Sequence, residues 1–110
     1  MADQTGDELS LKYHLIIPPA CITDHAQFIY SYGLSDPFVV VKLNGVPFAR
    51  TSTKSNTSSP RWFDACFEVP VFKRISEPIV SFEVWDMDSD GVGDFLGEGE
   101  ATSPNISQAL

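Results

Sequence analysis

The chain has 110 residues, 43% of them hydrophobic and 12% aromatic, with seven basic against fifteen acidic residues and a net charge of −8. That length suits one domain with a buried core of its own, while the acidic balance excludes sequence-independent nucleic-acid binding, which needs a basic surface. Two cysteines, Cys21 and Cys66, are too few for a disulfide framework and read as free thiols in a reducing compartment.

Residues 1–8 are polar and acidic and are expected to form a disordered tail. They have neither the basic start nor the apolar run of a secretory leader, and no segment approaches the roughly eighteen apolar residues of a membrane span. A soluble, cytoplasmic protein is therefore expected, and the sequons at Asn56 and Asn105 read as accidental. From Leu9 the pattern is alternating: Leu9, Leu11, Tyr13, Leu15 and Ile17 share one parity, which predicts a strand with one buried face. Pro18-Pro19 stops it, since neither residue can donate to a ladder. Residues 20–35 read as a long irregular stretch.

Phe38 to Leu43 is a short β-branched strand, and Asn44-Gly45 supplies a strong hairpin turn to a partner strand running from Val46 to about Lys54. Ser55 to Pro60 is a polar loop of turn-forming residues. Arg61 to Val69 is predicted as a further strand; its apolar parity slips after Trp62, which a β-bulge would restore. After a connection over 70–78, Val80, Phe82 and Val84 alternate with Ser81, Glu83 and Trp85 in another strand, and a last one is expected from Phe95 to about Thr102. No stretch of ten residues carries a clear helical period. Six short strands with turn signals between them predict an all-β, antiparallel Greek-key sandwich over 9–104, with 105–110 a tail or truncated final strand.

The densest chemistry is Asp86-Met87-Asp88-Ser89-Asp90-Gly91-Val92-Gly93-Asp94. Carboxylates crowded into one loop repel each other, by roughly 0.7 kcal/mol per pair at ~6 Å in water and more when partly buried. A hard cation removes that cost, and calcium takes about 6–8 oxygen ligands from such flexible loops. The alternative is a solvated acidic turn. An EF-hand is set aside although Asp86, Asp88, Asp90 and Gly91 match its first half: the twelfth position is Gly97 where a bidentate Glu is needed, and the preceding segment is a strand.

Four motifs stand in order: Gly33-Leu34-Ser35-Asp36-Pro37-Phe38-Val39, Ser59-Pro60-Arg61-Trp62, Val84-Trp85-Asp86-Met87-Asp88 and Asp94-Phe95-Leu96-Gly97. Together they resemble the C2 domain, the calcium-dependent phospholipid-binding module of protein kinase C and the synaptotagmins, over residues 9–102. The resemblance implies Ca2+ as cofactor, held by Asp36 from one loop and by Asp86, Asp88 and Asp94 from another. It places the first ligand at position 30, which is Tyr30 here; Asp90 and Asp24 are further candidates to make up the missing oxygen. It further implies contact with lipid headgroups through Trp85, Lys42 and Arg50, although Val40 and Ser52 stand where further lysines would be expected, and two cations on an exposed strand face are the plainer account. Phe95 is expected in the core.

The function so implied is calcium-dependent docking on anionic membranes, peripheral and reversible. The alternative is a calcium-independent protein-interaction domain on the same scaffold. The eight strands of the family exceed the six found, so the permuted topology with a short or missing last strand is expected, with a partner or a second copy at the open sheet edge. Cys21, Asp24 and His25 lie close together, but no nucleophile elbow, oxyanion-hole signature or phosphate-binding glycine loop accompanies them, and catalysis is not expected.

Overall fold

A computed structural model describes residues 10–29, 35–63, 65–88, 91, 93–101 and 107–109. The expected acidic tail at 1–8 lies outside the described residues. The elements are β1 (Leu11–Ile17), α1 (Pro19–Ile29), β2 (Pro37–Leu43), β3 (Val46–Arg50), β4 (Phe67–Phe72), β5 (Val80–Met87), β6 (Gly93–Glu100) and β7 (Ser107–Ala109). The strands make two antiparallel sheets, one of order β4-β1-β7 and one of order β3-β2-β5-β6. This is the all-β sandwich that the alternating pattern implies. The short closing strand is β7, which pairs with β1 from His14 to Ile16.

The inner faces follow the period of two. Leu15 and Ile17 of β1, Val39 and Val41 of β2, Val69 and Val71 of β4, and Val80, Phe82 and Val84 of β5 are all buried and meet in one core. At the β2–β3 turn, Asn44 and Gly45 both have positive φ, 49° and 83°, which is why that pair closes a two-residue hairpin.

Several segments depart from the sequence reading. Leu11, expected on the buried face of β1, is 47% exposed, with a register shift between it and Tyr13, and the strand expected from Val46 to about Lys54 ends at Arg50. Residues 19–29 form a helix where an irregular stretch was expected. Pro19 stands at its first position, where a missing N–H costs nothing, and Cys21 and Ile22 accept burial together with Ala26 one turn on. The stripe is too short to show a period by itself.

The strand expected over 61–69 begins only at Phe67 and runs on to Phe72, through Pro70. Trp62 explains the delay. Its backbone N–H donates to Thr23 Oγ1 (3.0 Å) and its indole N–H to the carbonyl of Ser52 (2.8 Å), so it plugs the core from a loop. The slip in parity after Trp62 therefore marks a strand not yet begun, and no bulge is involved there.

Finally, Phe95 is 53% exposed, not core. The β5–β6 register jumps from Val84↔Gly97 to Trp85↔Phe95, leaving Leu96 as the extra residue of a bulge. Leu96 packs against the core in its place.

Candidate functional site

The inner face of β5 explains how the carboxylates converge. Val80, Phe82 and Val84 fill the core, and the next residues of the same parity are Asp86 and Asp88, where the strand runs out past the core. Across the ladder, Asp86 is paired with Asp94 of β6. Like charges directly opposite on adjacent strands are unfavourable, and a third carboxylate joins them. One carboxylate oxygen each from Asp86, Asp88 and Asp94 lies within 4.8 Å of the others. Asp86 and Asp88 are half-buried and Asp94 is exposed.

Asp36 comes to the same end of the sheet, because Pro37 pairs with Asp86. Its backbone N–H donates to Asp86 Oδ1 (2.9 Å), and its carbonyl accepts from the N–H of Met87 (2.9 Å). Its own carboxylate Oδ1 accepts the backbone N–H of Asn56 at 2.6 Å. Asp36 thus stands beside the group of three without being one of the oxygens gathered within it. Asp24 is exposed on α1 and is also outside that group. Tyr30 and Asp90 lie outside the described residues.

One row further down the sheet, on its outer face, stand aromatic residues in register: Phe38 opposite Trp85, and Trp85 opposite Phe95. Phe38 and Trp85 stack at 6.5 Å between centroids, and Phe95 meets Trp85 edge-on at 5.3 Å. The Arg50 guanidinium sits 4.0 Å over the Phe38 ring. An open groove of about 560 Å³ lies over this row, with Phe48, Arg50, Trp85 and Met87 among its walls.

Lys42 is differently placed. Its ammonium donates to Glu83 (3.1 Å) and Glu98 (3.2 Å), carboxylates on β5 and β6 that face each other in the ladder. Those hydrogen bonds, to Glu83 first and Glu98 second, raise its pKa above the ordinary lysine value. As a cation offered to lipid, then, Lys42 is already engaged by two acids.

Cys21 is buried, and desolvation, with the charge of Asp24 adding to it, pushes its thiol up to about 11. A nucleophile needs the opposite shift.

Sequence reasoning missed Asn56. Its only local signal was an Asn in a run of turn-forming residues, and its bond to Asp36 spans a separation of 20 residues. The acids paired with Lys42 were equally invisible, because they lie on two other strands. No helix among the described residues is long and apolar enough to cross a membrane. The family profile of the C2 domain matches residues 22–108. A comparison with curated proteins gives no match.

Proposed function

The chain belongs to the C2 domain family, and from that premise we propose that it is a calcium-dependent module that docks its bearer on anionic phospholipid. C2 domains are in general membrane- or protein-interaction modules and not catalysts. The observation that carries the finer reading is the meeting of Asp86, Asp88 and Asp94 within 4.8 Å, with Asp36 hydrogen-bonded to the first of them. Three like charges at that spacing favour a divalent ion between them. Asp36, Asp86, Asp88 and Asp94 are assigned as its ligands.

A chain of net charge −8 is repelled by an anionic bilayer. Calcium reverses the sign at the tip alone, and lipid phosphate oxygens complete its coordination, so the ion bridges protein and membrane. Trp85, next to Asp86 and half-buried in the outer aromatic row, supplies an amphipathic side chain suited to the headgroup layer. Arg50 supplies a cation on the same face. Lys42, held by Glu83 and Glu98, is assigned to sheet cohesion.

Calorimetric titration with calcium, followed by sedimentation with phosphatidylserine vesicles in calcium or in chelator, tests the reading. Binding of the ion and calcium-dependent pelleting are expected. No heat of binding up to millimolar calcium would refute it. The second reading, calcium-independent protein interaction, rests on Tyr30 standing where the family resemblance places an acid; a protein partner retained in chelator would favour that alternative.

A further inference from the structure

We propose that Asn56 is a positioning residue for the ion site, an inference that rests on the reading that Asp36 is one of the calcium ligands. Residues 51–57 follow β3 without being a regular strand, yet they run alongside the start of β2 as a strap. Thr51 N–H donates to the Val39 carbonyl (2.9 Å), and Val39 N–H donates to Thr51 Oγ1 (2.9 Å). Further along, Lys54 N–H donates to the Pro37 carbonyl (2.9 Å), and Ser35 and Thr57 exchange a reciprocal pair of backbone bonds at 3.2 and 2.9 Å.

Between those last two contacts stands Asn56, with φ of 49°, in the left-handed region. Asparagine enters that region far more readily than other residues with a side chain, and β-branched residues enter it least. The conformation turns the Asn56 N–H onto Asp36 Oδ1 at 2.6 Å, a short charge-assisted bond.

Asp36 is consequently held from two sides. The strap holds its carboxylate, and β5 holds its backbone through Asp86 Oδ1 and the Met87 N–H. Oδ1 gives one lone pair to Asn56, so Oδ2 and the second lone pair of Oδ1 remain for an ion. A carboxylate at a loop exit would otherwise sample several rotamers, and the ion would have to order it on binding. The strap orders it beforehand. A hydrogen bond to a carboxylate also drains some of its negative charge, which acts against cation binding. At an exposed site that loss is the smaller effect, so removing the strap contact weakens the ion.

Calcium titration of the full chain with Asn56→Gly and Asn56→Val separates these effects. Glycine keeps the N–H and the left-handed backbone, and affinity within about threefold of the parent is expected. Valine disfavours that backbone, and affinity about tenfold weaker is expected. In an Asp36→Asn background the valine substitution should lose most of its effect, which a merely structural role would not produce. If the parent chain binds no calcium, the calcium reading fails and this inference with it. If the parent binds and Asn56→Val binds equally or more tightly, the inference alone is overturned. A glycine variant as weak as the valine one also overturns it.

Discussion

Replacing Asp88 by Asn should move stability in opposite directions with and without calcium. Oxygens of Asp86, Asp88 and Asp94 lie within 4.8 Å of each other, so the substitution removes two of three repulsive pairs. At that distance each pair costs roughly 0.9 kcal/mol in water, and screening at physiological salt reduces it to about 0.5. The ion-free variant should therefore be about 1 kcal/mol more stable, which raises the melting temperature by about 4 °C.

With calcium present the sign reverses. One unit charge about 2.4 Å from a divalent ion contributes about 3 kcal/mol even at the dielectric of water, so Asn in its place weakens binding about a hundredfold. At a calcium concentration a hundredfold above the parent's Kd, the parent gains about 2.7 kcal/mol and the variant about 0.4. The thermal order of the two proteins thus inverts on adding calcium, by differential scanning fluorimetry or calorimetry. Sodium chloride should also stabilise the ion-free parent more than the variant. If Asp88→Asn lowers the ion-free melting point, or keeps the parent's calcium shift, the electrostatic account of the loop is wrong.

Trp62→Phe removes a fully buried indole and takes from the Ser52 carbonyl one of its two donors, the Thr51 hydroxyl at 2.9 Å remaining, which should cost about 2 kcal/mol and lower the urea midpoint with the slope unchanged. Lys42→Met strands Glu83 and Glu98 opposite each other; slightly lower stability, recovered by added salt, is expected, while pelleting with phosphoinositide-containing vesicles stays at the parent level. A fall in pelleting would restore Lys42 as a lipid contact. In the folded protein at pH 8, a thiol reagent should label the exposed Cys66 quickly and Cys21 only on unfolding. Since the Cys21 thiol is raised from 9.0 to about 11, folding favours its neutral form. Its contribution to stability is complete below pH about 9 and is lost as pH rises toward 11, and a pH series of urea midpoints measures the decline.

What could be read from the chain depended on how far apart the cooperating residues lie. Alternation in Leu11–Ile17 and Val80–Trp85, and the Asn44-Gly45 turn, are local signals, and the strands and hairpin follow them. The helix Pro19–Ile29 buries Ile22 and Ala26 in the core and packs against β5 and β6, contacts that no window of that length can reveal. Trp62 had the composition of a strand, yet its hydrogen bonds go to Thr23 and Ser52, and those override its propensity. The acids at 86–94 declared themselves by density alone. That Asp36 stands beside them depended on the Pro37↔Asp86 register, which local sequence does not specify; the family resemblance implied only that Asp36 would share their ion.

The same alternation that builds the core also builds the site, and this joins their mechanics. Along β5 the inward positions pass from Val84 to Asp86 within one step of the pleat, while the outward position between them is Trp85. Trp85 is packed between Phe38 and Phe95 on the neighbouring strands. A Cβ added at Gly93 would lie 3.3 Å from both Phe38 Cε1 and Trp85 Cε3, so any side chain there would press on this row by a few tenths of an ångström. The row therefore braces from outside the ladder positions that carry Asp86 and Asp94 inside. Asp88 stands beyond the end of β5, and the carboxylate of Asp36 is held by the strap while β5 holds its backbone. The proposed ion site would therefore combine positions set by strand register with an Asp36 carboxylate set by the strap, and substitutions in the strap should alter affinity with little change in the stability of the ion-free fold.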